Sequence, residues 1–374
     1  MRLYPALIAV VFLVSCAGDR PIGRGLDEAP AVPAPTTETA ADAEEPREIA
    51  EAPVIPPGDF PTATPEDAGF DPAALAEAVD GIRRMSGTRL LLVTRGGRLV
   101  VEEAWGAAPD RPVNVKSASK SLLSALVGIA LERGDLEGLD QPIAELLPGR
   151  ASGAKGAIAL RDLLTMSSGL RSVSGEGYGA WVSTSDWTAA ALAQPLVGEP
   201  GAAFEYSTGD SHLVAAVLAE ATGTSVLAYA REHLLEPLGI EIDSWERAPE
   251  GVHLGGNQVS LTPLDLARFG QLYLNRGRWG DRQLVPAEWV ETSTRVHAEG
   301  WPDRYGAYGY LWWIRPEAGA YMAVGYGGQF LYLAPADDLA IVLIATLEGK
   351  GEEWDRELLA RFEDGIRGAL RSGS

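Results

Sequence analysis

The chain has 374 residues, of which 46% are hydrophobic, 22% charged and 7% aromatic, so it can bury a large core and is neither disordered throughout nor collagen-like. Its formal charge of −21 would repel a phosphate backbone, which argues against nucleic-acid binding through a general basic surface. With a single cysteine, Cys16, it can form no intramolecular disulfide, so packing must hold the fold.

Residues 1–16 carry one positive side chain, Arg2, before the apolar run Pro5 to Val14. That run is far short of the ~20 residues that span a bilayer and reads as the core of an export signal. Leu13-Val14-Ser15-Cys16 resembles a bacterial lipobox, in which the cysteine is lipidated and becomes the new N-terminus. The resemblance implies a cell-envelope lipoprotein held to the lipid bilayer through Cys16; the plainer alternative is a secretory signal with a chance cysteine. Ala17, standing where an aspartate would favour inner-membrane retention, implies the outer membrane, facing the periplasm. Residues 17–60 are rich in Ala, Pro and Glu, with ten acidic and three basic residues and no apolar periodicity, and read as a disordered acidic tether. The expected folded domain is 61–374.

Within it, Asp71-Pro72 opens a helix with Leu75, Val79 and Ile82 on one face. Arg89 to Arg95 and Arg98 to Ala104 form a hairpin about Gly96-Gly97. Ser117 to Leu131 is apolar on nearly every face, which predicts a buried helix. Further helical patterns at Ile158 to Thr165, Ser211 to Ala221 and Val226 to Leu235 make the middle third, about 121–255, an all-helical lobe. After a helix from Leu261 to Leu274, short strands are expected at Tyr310 to Ile314, Tyr321 to Val324, Phe330 to Leu333 and Leu339 to Ala345. A final helix carries Trp354, Leu358, Phe362, Ile366 and Leu370. Strands at both ends with helices between predict an α/β protein, one antiparallel sheet closed by the two termini with the helical lobe inserted.

Four histidines without ligand spacing give no metal centre, and no Gly-x-Ser-x-Gly elbow is present. What remains is Ser117-Ala118-Ser119-Lys120. Residues i and i+3 at a helix start lie on one face, where a lysine whose burial lowers its pKa can take the serine proton. With four lysines and twenty-one serines, on the order of 0.2 such patterns arise by chance. A second one, Ser152-Gly153-Ala154-Lys155, lies in a Gly-rich loop and is taken as coincidence. Ser117 could instead be a helix cap and Lys120 a solvated first-turn residue, but a helix apolar all round leaves no wet face for an ammonium.

Lys116 to Ser121, Arg161 to Leu170, Phe204 to Gly209, Gly255 to Asn257 with Thr262 to Arg268, and Gly325 to Gln329, taken as ordered blocks, resemble the serine beta-lactamase-related family. That family includes class C beta-lactamases, DD-carboxypeptidases, certain esterases and 6-aminohexanoate-dimer hydrolases. The resemblance implies a beta-lactamase/transpeptidase-like fold over 61–374, Ser117 as acylated nucleophile, Lys120 as general base and Tyr206 as a second acid/base. It places the oxyanion between the backbone N–H groups of Ser117 and Tyr326, beside Gly325. The chain departs from the family twice. Tyr-x-Asn reads Tyr206-Ser207-Thr208, with Thr208 replacing an amide, and the third motif is Ala323-Val324-Gly325, without its cation. The Gly325-Tyr326-Gly327-Gly328-Gln329 form resembles the 6-aminohexanoate-dimer hydrolase and esterase branch. This implies a serine hydrolase acting on a small ester or amide, with no cofactor or metal. The alternatives are a beta-lactamase or D-Ala-D-Ala carboxypeptidase, and a non-catalytic envelope binding module. Arg171 to Trp187, with Tyr178, Trp181 and Trp187, is long and irregular and reads either as a lid over the site or as a loop pinned by its tryptophans. Asn257 is a candidate substrate donor or a turn residue, and Asp162 a capping carboxylate.

Overall fold

Asp71 accepts the Ala74 N–H at 2.9 Å and Pro72 follows it, so helix α1 (Pro72–Arg83) begins where a side-chain acceptor meets a residue that lacks an N–H. This is a computed structural model, and it describes residues 60–371. The expected signal segment, Cys16 and tether residues 17–59 lie outside the described residues. Phe60, the last residue assigned to the tether, is buried, with the Arg268 guanidinium over its ring. It belongs to the folded body because its ring finds apolar cover there.

The hairpin about Gly96-Gly97 forms β1 (Thr88–Arg95) and β2 (Arg98–Ala104), both glycines having positive φ as a tight reversal requires. Val113–Asn114 is the short strand β3, and Lys120–Arg133 is helix α2, buried over its first eleven residues. The predicted helix from Ser117 instead starts as a 3-10 turn, Lys116–Ser119, and becomes α-helical at Lys120. Helix α3 (Thr208–Thr222) is buried along most of its length, lies against α2 and forms the core of the helical lobe. That lobe is not wholly helical. β5 (Val259–Leu261) pairs with β3 on one side and with β4 (Ser244–Trp245) on the other in a small antiparallel sheet.

Helix α4 (Pro263–Leu274) starts at the Thr262 cap and packs on the main sheet. The C-terminal third supplies β6 (Ala298–Trp301), β7 (Gly306–Tyr308), β8 (Trp313–Arg315), β9 (Ala320–Gly325), β10 (Gln329–Ala334) and β11 (Leu339–Ala345). The main sheet has eight antiparallel strands in the order β2-β1-β11-β10-β9-β8-β7-β6, so β1 from the N-terminal end pairs directly with β11, Leu92 facing Val342. β9, β10 and β11 are buried at every residue because helices cover both faces of the sheet, which explains their unbroken apolar runs. The expected strand Tyr310 to Ile314 is displaced to Trp313–Arg315. Leu311 has a φ of 62° and turns the chain between β7 and β8. Helix α5 (Glu352–Ala360) continues through a π-helical stretch, Arg361–Ile366, and lays Leu358, Phe362 and Ile366 on the core. No single helix among the described residues is long and apolar enough to cross a membrane.

The end of β9 presses on the segment that leads into α2. A β-carbon at Gly325 would overlap the Val115 carbonyl oxygen and meet the Gln329 β-carbon at 3.0 Å. Backbone cannot retreat as a flexible side chain can. Gly325→Ala is therefore expected to lower the chemical-denaturation midpoint by the equivalent of about 1–3 kcal/mol, whereas Gly138→Ala, with open space around it, leaves the midpoint within about 0.5 kcal/mol. Equal effects at the two glycines would show that β9 and the α2 lead-in are not in tight register.

Candidate active site

The lead-in to α2 is strained. Lys116 has a φ of 52°, and its N–H is held by the Asn114 carboxamide oxygen at 3.0 Å. The 3-10 turn that follows projects Ser117 and Lys120 toward each other, with Lys120 Nζ 3.2 Å from Ser117 Oγ. Ser117 is not the helix cap, since its hydroxyl is engaged by the lysine and remains half-buried within reach of a ligand. Lys120 is 2% exposed, and its amine also donates to the Gly256 carbonyl at 2.7 Å and contacts Thr208 Oγ1 at 3.4 Å. It makes no ion pair among the described residues, so burial pulls its pKa from 10.5 down to about 7. A lysine in that range offers a lone pair to the serine proton at neutral pH.

Tyr206 reaches the same point from the segment that leads into α3. The Arg161 to Leu170 block holds the segment that carries it. Gly201 donates to the Ser167 carbonyl at 2.7 Å and Glu205 to the Met166 carbonyl at 2.7 Å, while Ser172 Oγ donates to the carbonyl of Tyr206 itself. Met166 takes a φ of 56° to make this turn, and Asp162 accepts the Ala159 N–H as a capping carboxylate. The Tyr206 ring lies 5.2 Å from Lys120 Nζ and is stacked on Trp313 at 5.8 Å. Burial pushes its phenol up to about 12, with Ser117 pulling back, so at neutral pH the hydroxyl is a proton donor.

Thr208 sits where the motif expects an amide, and its hydroxyl bridges Lys120 and Ser174 Oγ, the latter at 3.1 Å. It positions the lysine from inside the lobe. On the far side, Gly256 packs so closely that a β-carbon there would strike the Lys120 side chain. Its neighbour Gly255 donates its N–H to His212 Nδ1 at 3.3 Å, and the other nitrogen, Nε2, faces Glu250 at 3.2 Å. The imidazole thus carries its proton on Nε2, because the Gly255 N–H occupies Nδ1. Burial works against the Glu250 charge, but hydrogen bonds from His212, Thr188 and Trp187 hold its carboxyl down at about 2.

The segment Arg171 to Trp187 is ordered rather than irregular. It contains a short 3-10 turn at Gly175–Gly177 and a helix at Tyr178–Val182, and Trp187 begins the next helix. Trp181 and Trp187 are 3% and 4% exposed and pack on the His212 ring, behind the site rather than over it. The loop is thus pinned by its tryptophans, because burying two indoles against a buried imidazole outweighs leaving them at a lid edge. Tyr178 accepts from the Asn257 amide at 3.1 Å, so these two residues are brought together at the Gly256 loop. The second Ser-x-x-Lys has no such setting: Lys155 Nζ donates to the Leu192 carbonyl.

A cavity of about 290 Å³ opens on Ser117 and Tyr206, floored by Val324 to Gly328 and walled by Trp301, Tyr305 and Trp313. Neither the Ser117 N–H nor the Tyr326 N–H has a protein acceptor among the described residues, as an oxyanion site between them would require. Tyr326 itself is 63% exposed at the rim. Sequence reasoning missed Arg304, Lys350 and the aromatic wall. The density of rings from Trp301 to Trp313, and a lysine in a chain with four of them, were the available signals.

The Beta-lactamase family model matches residues 74–365. The 6-aminohexanoate-dimer hydrolase of Paenarthrobacter ureafaciens is 26% identical over 287 residues, 69% of this chain and 72% of that protein. A penicillin-binding protein homologue from Caulobacter crescentus superposes with a TM-score of 0.65 at 18% identity, covering 81% of this chain and 99% of its own. EstCE1, a hydrolase with promiscuous acyltransferase activity, does so with a TM-score of 0.61 at 18% identity, covering 79% and 96%. The two structural likenesses carry the fold, and the matched span takes in every block that builds the site. The chain therefore belongs to the Beta-lactamase family, whose members are generally serine hydrolases of this fold.

Proposed function

We propose that this protein is an esterase or amidase that works through a covalent acyl-enzyme on Ser117. The observation that carries the reading is the Lys120 amine, buried 3.2 Å from Ser117 Oγ with no counter-charge among the described residues and poised near neutrality. In the acylation step Ser117 Oγ attacks the substrate carbonyl carbon as its proton passes to Lys120. The carbonyl oxygen takes the negative charge between the Ser117 and Tyr326 N–H groups, and Tyr206 hands a proton to the departing oxygen or nitrogen. Water then adds to the acyl carbon, its proton returning through the same groups, and Ser117 is released. Ala323 is buried on β9 at the motif position where penicillin-recognising members carry a cation, which favours an uncomplicated ester or amide over a beta-lactam. The relative named as a 6-aminohexanoate-dimer hydrolase supports the amide branch. We further propose that Cys16 is lipidated and tethers the enzyme to the cell envelope, on the strength of the Leu13 to Cys16 pattern.

Hydrolysis of p-nitrophenyl butyrate is expected, with nitrocefin turned over at least about a hundredfold more slowly and Ser117→Ala losing at least about a thousandfold in kcat/KM. Nitrocefin as the faster substrate would overturn the use made of Ala323. The pH dependence has a definite sign. Lys120 must be neutral to accept a proton, so kcat/KM rises with pH through a midpoint of about 7 and then levels, since Tyr206, pushed up to about 12, stays protonated. A rate that falls through pH 7 would remove Lys120 as the base. In a Gram-negative host, Cys16→Ser is expected to shift the protein from the membrane pellet to the soluble periplasmic fraction and to abolish labelling with a fatty-acid analogue. Unchanged fractionation would leave an ordinary secretory signal.

A further inference from the structure

His212 is fully buried on α3, directly before the apolar run Leu213 to Leu218. An imidazole in such a place costs stability unless both of its nitrogens find partners. They do: Nδ1 accepts the Gly255 N–H at 3.3 Å, and Nε2 donates toward Glu250 at 3.2 Å. Glu250 is anchored in turn by the N–H groups of Trp187 and Thr188, at 3.1 and 2.9 Å, and by Thr188 Oγ1 at 3.0 Å. Behind the ring stand Trp181 and Trp187, which share a small apolar cluster with Val173, Ala248 and Leu254.

Gly255 is gripped a second time from the same helix. Ser211 Oγ donates to its carbonyl at 2.8 Å, so two successive residues of α3 hold both polar groups of one glycine. The approach is backbone against backbone, since a β-carbon on Gly255 would overlap the Ser211 carbonyl. Gly256 follows at a φ of 68°, turns its own carbonyl to Lys120 Nζ at 2.7 Å and lies against the Lys120 stem. The connection between β4 and β5 that carries both glycines is therefore a cover over the amine. The other groups facing the amine are the Ser117 and Thr208 hydroxyls and the Tyr206 ring, none of them charged.

We propose that His212 is a positioning residue for the base: by holding Gly255 to α3 it fixes the Gly256 carbonyl on Lys120 and keeps the cover closed. The proposal rests on the acyl-transfer reading above for its catalytic consequence. The residue type follows from the same constraint. A leucine would fill the space but leave the Gly255 N–H without an acceptor. An aspartate would accept that N–H while bringing a negative charge close to Lys120, which favours the ammonium. A neutral imidazole accepts without a charge, and its other nitrogen keeps the Glu250 carboxylate on the far side, so that burial remains the influence that shifts the Lys120 amine.

The test reads the titration of Lys120 itself. The chain has four lysines, so NMR of the protein labelled at lysine Cε follows each amine, and the signal lost in Lys120→Met identifies Lys120. In the unaltered protein its midpoint is expected at about 7. His212→Leu frees the cover and admits water, so the midpoint is expected to rise by about one unit or more toward the solvated value. The rising limb of kcat/KM against pH moves with it, so activity at pH 7 falls about fivefold or more and recovers at higher pH. His212→Asn keeps an acceptor at the δ position while giving up the ring and the Glu250 contact, and is expected to hold the midpoint within about 0.3 unit. A role in packing alone would lower the amount of folded protein in both variants and leave the midpoint in place. An unmoved or lowered midpoint in His212→Leu, or an equal rise in His212→Asn, would overturn the proposal. If His212→Leu does not fold, Ser211→Ala, which removes the other grip on Gly255, decides: a raised midpoint supports the clamp and an unmoved one overturns it. The titration needs no substrate, so if no ester is cleaved the hydrolase reading fails while the NMR result still decides the clamp.

Discussion

The site depends on keeping one ammonium out of water without giving it a counter-ion. An aspartate beside Lys120 would fix its charge and end its use as a base, and open solvent would restore its ordinary pKa. The fold supplies neither. It offers the amine a backbone carbonyl at Gly256 and two hydroxyls at Ser117 and Thr208, which are dipoles that accept hydrogen bonds and carry no formal charge. The apolar enclosure of α2 and α3 then sets the pKa by desolvation alone.

This arrangement needs backbone where side chains would otherwise be. Gly256 can approach the Lys120 stem only because it lacks a β-carbon, and Gly325 lets β9 lie against the strand-to-helix lead-in that carries Ser117. Lys116 and Gln258, both at positive φ, are tied to each other by a 2.6 Å hydrogen bond from Lys116 Nζ. A second lysine therefore lies one residue from the nucleophile, yet its amine is held by a carboxamide on the β5 side and leaves Ser117 to Lys120. The strain of two left-handed residues is tolerated because hydrogen bonds on each side over-determine them.

The outer parts of this design were legible in the sequence because they obey local rules. The Asp71-Pro72 start, the Gly96-Gly97 hairpin, the apolar strands β9 to β11 and the buried α2 all follow from capping, turn chemistry and unbroken apolar runs. Ser117, Lys120 and Tyr206 were found as motif residues, and three-dimensional placement alone explains why the blocks around them matter: Arg161 to Leu170 matters for its carbonyls, which hold the chain before Tyr206. Less legible was anything set by long-range packing. The tryptophans of the 171–187 segment left a lid and a pinned loop equally open, because nothing local shows that His212 waits to receive them. Arg304 and Asp355 are 51 residues apart, and no periodicity links them. The displaced strand at Trp313 turned on a single positive φ at Leu311, a conformation that leucine does not advertise.

The same burial that makes Lys120 useful makes the folded state less stable where it is used. Its folded pKa of about 7 lies below the unfolded value of 10.5, so between those limits the unfolded chain binds a proton that the folded chain does not. Stability contributed by this group therefore rises with pH across that window and is lowest at and below neutrality. The large apolar sheet and the two packed helices must offset that loss, and they can do so because β9 to β11 are buried at every residue. A core this extensive is what allows a reactive amine to be kept uncharged at its centre, and it ties the size of the fold to the chemistry of one side chain.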